Sequence, residues 1–282
     1  MQIRRKPDWL RISRSSVGEY QKVNGLLREG CLHTICQSGK CPNQAECWSR
    51  GTATFMILGD ICTRSCKFCA TKTGRPLSPD PDEPRKLAES VKAMNLRHVV
   101  LTSVDRDDLP DKGAEHWRKC VSAVRKENPH TTIEILTPDF DAREDLIRIV
   151  AEAQPDIFAH NVETVERLTP LVRSRATYSG SLRALQIMHR LGFKTKTGFM
   201  LGLGENEEEI VQTMDEVLAA GVSILTIGQY LQPSTRHFPV ADYITPDKFA
   251  EYKQIALQKG FSHVESAPLV RSSYHAEQAL TN

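Results

Sequence analysis

The chain has 282 residues, of which 40% are hydrophobic and 26% charged, and its net charge is +2. These values are typical of a folded globular protein with a sizeable core, and the near-neutral charge gives no reason to expect nucleic acid or an anionic membrane as a partner. The apolar runs are far shorter than the roughly 18 residues that a bilayer span needs. Pro7 and Asp8 follow the first basic residues, where a secretory signal would be apolar, so the sequence predicts a complete cytoplasmic protein.

The first 50 residues combine one helical stripe with four of the eight cysteines. The stripe consists of Val17, Tyr20, Val23 and Leu27. Seven of the eight cysteines lie between Cys31 and Cys69. Clustered cysteines in a reducing compartment bind metal more often than they form disulfides, so this region predicts a metal site.

The upstream cysteines have the spacing Cys36-x4-Cys41-x5-Cys47. Residue types alone leave a zinc loop, core cysteines and an iron–sulfur cluster open as interpretations. Cys31 lies five residues before Cys36 and mimics the same spacing, so the pattern does not exclude it as a ligand.

The downstream cysteines have the spacing Cys62-x3-Cys66-x2-Cys69 and follow the first predicted strand. Soft thiolates select zinc or iron–sulfur clusters, and a structural zinc knuckle is the simpler alternative. Structural zinc requires four protein ligands, however, whereas three cysteines leave one iron of a four-iron cluster open to a small ligand. The spacing therefore favours an iron–sulfur cluster.

From about residue 51 onward, strand-like runs alternate with amphipathic helical segments. The predicted strands are 54–58, 97–102, 132–136, 156–159, 195–201 and 223–227. Gly192 and Gly221 mark helix ends. Six βα units with right-handed crossovers predict an α/β fold, a partial (β/α)6 TIM-like barrel with N- and C-terminal extensions. The expected division is an extension at 1–50, a barrel at 51–260 and a second extension at 261–282.

The tail Arg271-Ser272-Ser273-Tyr274, together with the two cysteine triplets, resembles the lipoyl synthase family of the radical S-adenosylmethionine superfamily. Phe68 suits the aromatic position of the superfamily signature. Other segments resemble the family in the same order: Lys6-Pro7-Asp8-Trp9-Leu10, Thr102-Ser103-Val104-Asp105-Arg106-Asp107-Asp108-Leu109, His160-Asn161-Val162-Glu163-Thr164-Val165, Gly202-Leu203-Gly204-Glu205 and Gly228-Gln229-Tyr230-Leu231-Gln232-Pro233-Ser234.

The resemblance implies two [4Fe–4S] clusters and S-adenosylmethionine as cofactors. Cys62, Cys66 and Cys69 would hold the cluster that cleaves S-adenosylmethionine. An auxiliary cluster would be held by Cys36, Cys41, Cys47 and Ser273, with Ser272 as the alternative serine and Cys31 as an extra cysteine.

Asn161, Glu163 and Arg173 are the positions expected to contact S-adenosylmethionine, although helix capping is an equally simple role for Asn161 and Glu163. Ser174-Arg175 departs from the family's usual Pro-Gly. The Gly202–Glu205 turn suits either a close ligand approach or a tight βα turn. Cys120 lies on an apolar helical stripe and is predicted to be a core cysteine.

The implied reaction inserts two sulfur atoms, at C6 and C8, into an octanoyl chain carried on a lysine. The auxiliary cluster supplies the sulfur, and two S-adenosylmethionine molecules are used per turnover. The expected partners are an octanoylated lipoyl carrier domain or glycine-cleavage H protein, a reductant such as flavodoxin or ferredoxin, and an iron–sulfur carrier that rebuilds the cluster. The chain is expected to be a monomer.

Two alternatives remain open from the sequence. The first is another two-cluster radical enzyme that inserts sulfur. The second is a zinc-stabilised binding protein without enzymatic activity.

Overall fold

The computed structural model describes residues 5–10, 25, 32–39, 41, 43–44, 47 and 54–274. Cys31 and the four residues of the predicted N-terminal helical stripe lie outside the described residues. The chain divides into two compact units. Of the described residues, the N-terminal unit contains those of 25–64 and 70–158, and the C-terminal unit contains 5–10, 65–69 and 159–274.

The N-terminal unit is built on parallel strands. Strand β1 (His33–Thr34) pairs antiparallel with β2 (Thr54–Ile57), and β2 pairs parallel with β5 (His98–Ser103). Strand β5 pairs parallel with β6 (Thr132–Leu136), and β7 (Ile157–Ala159) follows in the chain. A separate short parallel pair joins β3 (Ile61–Cys62) to β4 (Lys72–Thr73). The long strands are almost wholly buried, as expected where helices cover a parallel sheet.

Among the described residues, this unit contains the helices α1 (Ile35–Ser38), α2 (Glu83–Ala93), α3 (Ala114–Glu127) and α4 (Glu144–Ala151), with a tight turn at Phe140–Ala142. Helix α2 packs against α3. The apolar stripe of α3 is fully buried and includes Trp117, Cys120 and Val121. Cys120 therefore lies in the core, as its position on the stripe predicts.

The C-terminal unit contains three parallel strands among its described residues. Strand β8 (Lys194–Leu201) pairs with β9 (Ile224–Gln229), and β9 pairs with β10 (His263–Ser266). Its helices are α5 (Thr169–Val172), α6 (Tyr178–Arg190), α7 (Glu207–Ala219) and α8 (Pro246–Lys259), with 3-10 turns at Asp8–Leu10 and Glu166–Leu168. Asn206 and Glu209 form a reciprocal capping box at the start of α7.

The predicted α/β fold is confirmed, and all six predicted strands form, with ends within two residues of the expected ones. Strand β10 is an additional parallel strand in the segment expected as a C-terminal extension. It brings the start of that segment into the sheet. The three-part division of the chain remains a prediction. No helix among the described residues has the length and apolarity needed to cross a bilayer.

Candidate active site

The three upstream cysteines Cys36, Cys41 and Cys47 are all among the described residues. Cys36 is buried within α1, and Thr34 caps this helix by accepting the Gln37 N–H. The Cys41 N–H donates to the Cys36 carbonyl over 3.0 Å. The Cys47 N–H donates to the Asn43 carbonyl over 2.9 Å. Cys36 is therefore buried, whereas Cys41 and Cys47 are half-buried.

The downstream triplet begins with Cys62, the buried last residue of β3. Its Sγ accepts the backbone N–H groups of Arg64 and Asp105, each over 3.4 Å, and lies 3.5 Å from Asp105 Oδ2. Burial, and then the neighbouring Asp105 carboxylate, raise the pKa of the Cys62 thiol to about 12. Without metal, Cys62 is therefore a thiol that donates to Asp105. The two backbone donors fit a metal-bound thiolate, because such hydrogen bonds stabilise the charge on a ligating sulfur.

Arg64 is the centre of a buried ion network next to Cys62. Its side chain is 4% exposed and is bidentate to Asp107, with Nε–Oδ2 at 2.7 Å and Nη2–Oδ1 at 3.0 Å. It also contacts Asp105 at 3.3 Å, Asp139 at 2.9 Å and Asp141 at 3.4 Å. Lys112 completes the network with 2.8 Å contacts to Asp107 and Asp141.

The pKa values of two carboxyls in this network shift in opposite directions. Burial raises the pKa of Asp105. The pKa of Asp107 is far below its ordinary value: burial opposes ionisation, but the hydrogen bonds from Arg64 and Lys112 outweigh it. Asp107 is therefore ionised throughout the physiological range.

Asp139 and Asp141, two of these carboxylates, lie at an unusual turn. Phe140, Asp141 and Ala142 have φ values of 48°, 52° and 54°, in the left-handed region that residues other than glycine rarely enter. Asp139 caps the turn by accepting the Asp141 N–H. A run of three such residues is strained, and it persists because Asp139 and Asp141 are both tied to Arg64.

Leu58, between β2 and Cys62, is fixed by buried charged side chains. Its φ is 67°; its N–H donates to Glu83 over 2.9 Å, and its carbonyl accepts Arg106 over 3.3 Å. The same Glu83 oxygen lies 2.6 Å from His116 Nε2. The loop that carries Cys62 thus leaves β2 with a defined direction.

Cys66 and Cys69 belong to the C-terminal unit, in the segment Ser65–Cys69. The Cys69 N–H donates to the Cys66 carbonyl over 3.1 Å. The Lys67 N–H donates to Val172 O over 2.7 Å, and Lys67 O accepts the Phe238 N–H over 2.9 Å. Backbone hydrogen bonds on both sides therefore hold the segment.

Three side chains complete this environment. His237 Nε2 lies 3.0 Å from the Cys69 carbonyl, while its Nδ1 lies 2.8 Å from Ser234 Oγ. Since a carbonyl only accepts, Nε2 carries a proton and donates to it. Phe68 packs on the apolar cluster of Val165, Leu168, Val172, Leu203 and Tyr230.

Ser174, where the chain departs from the family pattern, contacts the same segment. Its Oγ accepts the Ser65 N–H over 3.1 Å and lies 3.7 Å from Cys66 Sγ. The departure from Pro-Gly therefore adds a hydroxyl beside a candidate ligand.

The predicted cofactor-binding residue Asn161 is joined to the tail motif. Its Nδ2 donates to Ser272 Oγ over 2.7 Å. The tail forms a turn over Ser272, Ser273 and Tyr274, in which the Tyr274 N–H donates to Arg271 O over 2.9 Å.

Arg173 and Glu163 lie close to Asn161 in the fold. Arg173 Nη1 donates to the Asn161 carbonyl over 3.1 Å and to Ser181 Oγ over 3.0 Å, and its buried Nε has no partner among the described residues. The Glu163 backbone, with φ of 70°, exchanges hydrogen bonds with Gly198 and Met200. Contact of these residues with S-adenosylmethionine remains a prediction.

The Gly202–Glu205 segment is a tight βα turn. The Glu205 carboxylate accepts the N–H groups of Gly202 and Leu203. Gly202 has φ of 96°, and a Cβ there would lie 2.2 Å from Gln229 Nε2. This close packing accounts for glycine at position 202.

Sequence reasoning did not single out Arg64, Asp139 and Asp141 next to Cys62, or His237 next to Cys69. The segment from Asp105 to Leu109 was singled out only for its resemblance to the family. One usable signal was Arg64, an arginine placed inside a thiolate motif, since a cation there needs a buried counter-charge.

Comparison with known proteins agrees with this fold and these motifs. The family model for the Radical SAM superfamily matches residues 56–217. The chain is 58% identical to the lipoyl synthase of Parabacteroides distasonis over 276 residues, which cover 98% of each chain. It is also 58% identical to the lipoyl synthase of Bacteroides thetaiotaomicron, again with 98% of each chain covered.

Solved structures show the same fold at low identity. Methylornithine synthase (PylB) superposes with a TM-score of 0.58 at 13% identity, covering 90% of this chain and 82% of that one. The hydrogenase maturase HydG from Carboxydothermus hydrogenoformans superposes with a TM-score of 0.58 at 12% identity, covering 93% and 77%.

Together, the parallel α/β fold and the Cys-x3-Cys-x2-Cys motif define an enzyme that uses an iron–sulfur cluster and S-adenosylmethionine for radical chemistry. Within that superfamily, the chain belongs to the lipoyl synthase family. It is accordingly a sulfur-inserting enzyme with [4Fe–4S] clusters and S-adenosylmethionine as cofactors, and it acts on a lipoyl carrier with the help of a reductant.

Proposed function

We propose that Cys62, Cys66 and Cys69 hold the cluster that cleaves S-adenosylmethionine. When bound, this cluster and S-adenosylmethionine supply a 5′-deoxyadenosyl radical, which can take hydrogen from an unactivated carbon. The two backbone donors aimed at Cys62 Sγ support a thiolate at this position. The backbone hydrogen bonds around Lys67 and Cys69 support a loop of fixed shape for the other two ligands.

The auxiliary cluster is assigned to Cys36, Cys41, Cys47 and Ser273. A serine oxygen is a harder ligand than a thiolate and binds a soft cluster less well, which suits a cluster that is consumed. Ser273 is preferred over Ser272 because the resemblance of the tail motif to the family implies it.

The substrate is an octanoyl chain on a lysine of a carrier protein, and sulfur is inserted at C6 and C8. Side-chain acid–base catalysis contributes about 10²–10⁴-fold, which is far too little to ionise such carbon–hydrogen bonds. A radical is therefore needed at each carbon. Because each S-adenosylmethionine supplies one radical, two molecules are used per lipoyl group.

Asn161, Glu163 and Arg173 are assigned to the S-adenosylmethionine pocket. Arg173 supports this assignment because a buried guanidinium nitrogen without a partner is costly in a native protein. An anionic or carbonyl group of the ligand would satisfy it.

The finer partners follow the family pattern. We assign an octanoylated lipoyl domain or the glycine-cleavage H protein as carrier, flavodoxin or ferredoxin as reductant, and an iron–sulfur carrier for rebuilding the auxiliary cluster. The enzyme is assigned to the cytoplasm as a monomer without nucleic-acid or membrane partners.

The observation that carries the proposal is the pair of cysteine triplets, together with the Ser-Ser tail, on a chain aligned end to end with lipoyl synthases. The test is anaerobic turnover of the reconstituted chain with S-adenosylmethionine, dithionite and an octanoyl-lysyl peptide. The expected products are a peptide carrying two sulfur atoms and two equivalents of 5′-deoxyadenosine.

Two alanine variants separate the roles of the clusters. Cys66→Ala should abolish 5′-deoxyadenosine formation, whereas Cys41→Ala should still form it but insert no sulfur. Formation of 5′-deoxyadenosine by the unmodified chain without sulfur insertion would favour another sulfur-inserting radical enzyme. Zinc in place of iron in the purified protein would contradict the proposal.

A further inference from the structure

The Arg64 network joins three loops that follow adjacent parallel strands. Arg64 lies beyond β2, two residues after β3, whereas Asp105 and Asp107 lie after β5 and Asp139 and Asp141 lie after β6. Reactive groups of parallel α/β enzymes lie at this end of the strands. We propose that Arg64 and its carboxylate partners are a positioning device that sets the reduction potential of the cluster bound by Cys62. The inference rests on the proposed assignment of Cys62 as a cluster ligand.

The first step of the argument is geometric. The two N–H groups that reach Cys62 Sγ belong to Arg64 itself and to Asp105, which Arg64 contacts at 3.3 Å. One buried guanidinium therefore fixes both donors. Hydrogen bonds to cluster sulfurs are among the factors that set cluster potentials.

The second step concerns charge. Among the described residues, four carboxylates contact the two cations Arg64 and Lys112, so the network is a group of closely spaced charges. Arg64 and Asp139 are each 4% exposed, and Asp107 is 12% exposed. Water therefore screens these charges weakly, and changing one of them alters the local potential strongly.

The sign of each change follows from the electron that reduction adds. Arg64→Gln removes a positive charge and makes reduction harder, which lowers the potential. Asp107→Asn removes a negative charge and raises the potential. A purely structural role predicts a different pattern, in which both variants lose cluster occupancy and any cluster that remains keeps its potential.

The test is an EPR-monitored redox titration of anaerobically reconstituted full-length enzyme. The signal belongs to the S-adenosylmethionine-binding cluster if it changes when S-adenosylmethionine is added. The variants are Arg64→Gln, Asp107→Asn and Arg64→Lys, the last of which keeps the charge but loses the bidentate geometry. Arg118→Gln is the matched control, because it removes a cation from an exposed ion pair with Glu115 on α3.

We expect the equilibrium constant for reduction of the cluster to change about tenfold, which shifts the reduction potential by about 59 mV for one electron. The potential should fall in Arg64→Gln and rise in Asp107→Asn. The reduction potential of Arg64→Lys should be close to that of the unmodified enzyme, and that of Arg118→Gln should equal it. If Arg64→Gln does not bind a cluster, the test is decided by the reduction potentials of Asp107→Asn and Arg64→Lys.

Shifts of the same sign, or no shift at normal iron content, would overturn the inference while leaving the proposed function intact. By contrast, absence of any S-adenosylmethionine-responsive signal in the unmodified enzyme would contradict the assignment of Cys62 itself.

Discussion

Asn161 Nδ2 donates a hydrogen bond to Ser272 Oγ over 2.7 Å, which ties two distant parts of the C-terminal unit together. Two glycines allow this approach. A Cβ at Gly198 would lie 3.2 Å from Asn161 Oδ1, and a Cβ at Gly228 would lie 2.2 Å from the Val270 carbonyl. The tail therefore rests against the strands, with Ser272 as its anchor and Ser273 next in the chain.

The two tail serines should behave differently when mutated. Ser272→Ala removes a single hydrogen bond, worth about 1 kcal/mol, and should retain the auxiliary cluster with only a modest loss of sulfur insertion. Ser273→Ala removes the proposed iron ligand and should abolish sulfur insertion while leaving 5′-deoxyadenosine formation intact. Iron content, Mössbauer spectra and peptide mass measure these outcomes. The reverse pattern would transfer the ligand role to Ser272.

The hydroxyl of Ser174 should affect the spectrum of the cluster more than the stability of the fold. The Ser65 N–H that donates to the Ser174 hydroxyl is exposed, so water can take the place of that hydroxyl. Ser174→Ala should therefore lower the free energy of unfolding by less than about 1 kcal/mol. Its position 3.7 Å from Cys66 Sγ should nevertheless make the EPR signal of the reduced cluster differ between variant and parent. Ser179→Ala, on the first turn of α6, serves as control, and identical spectra for all three proteins would contradict the prediction.

The periodic part of the fold was predictable from sequence because each strand and helix has its own pattern. Strands such as Thr132–Leu136 and helices such as Glu207–Ala219 have continuous buried runs or apolar stripes bounded by caps. Strand His263–Ser266 was missed because its four residues alternate between half-buried and buried positions and carry charge. Only its pairing with β9 makes it a strand.

Cysteine spacing predicts candidate ligands, but it does not predict the groups around them. Cysteine spacing is a local property, whereas Asp139 lies 75 residues from Arg64 in sequence. The left-handed turn at Phe140–Ala142 has no glycine to signal it, because tertiary ion pairs rather than local preference hold it.

The pKa of Cys62 makes a prediction for the metal-free chain. Burial disfavours the thiolate, so the pKa is raised to about 12, and the thiolate is the form that reacts with alkylating agents. After chelator treatment, iodoacetamide labelling of Cys62 should be slow near pH 8 and rise about tenfold per pH unit. Asp105→Asn should accelerate labelling, because removing the carboxylate lowers the pKa. Labelling that is independent of pH would show that Cys62 is not held as the structure describes.

The same shift links Cys62 to stability. Its pKa in the unfolded chain is about 8.5, so between that value and about 12 the native state holds a proton that the unfolded state has lost. This contribution to the stability of the metal-free fold is therefore complete below about pH 8.5 and is lost as the pH rises towards 12. Urea denaturation of the metal-free chain at pH 8 and pH 10 should show a smaller free energy of unfolding at the higher pH.

The turn after β8 provides a stability test with a built-in control. Gly202 and Gly204 have φ values of 96° and 110°, so alanine is strained at both positions and should cost at least about 1 kcal/mol. At Gly202 the new Cβ would also lie 2.2 Å from Gln229 Nε2 and 2.4 Å from the Asp242 carbonyl, whereas at Gly204 its nearest neighbour is 3.7 Å away.

Gly202→Ala should therefore lower the free energy of unfolding more than Gly204→Ala does, and the difference isolates the steric contribution. Gln229 is itself held by hydrogen bonds to Leu201, Tyr230 and Asp242, so it cannot move aside without breaking them. Urea denaturation of the two reconstituted variants measures the difference. Equal destabilisation would mean that the contacts around Gln229 yield to an added methyl group, and that the turn requires glycine at position 202 for its backbone angle alone.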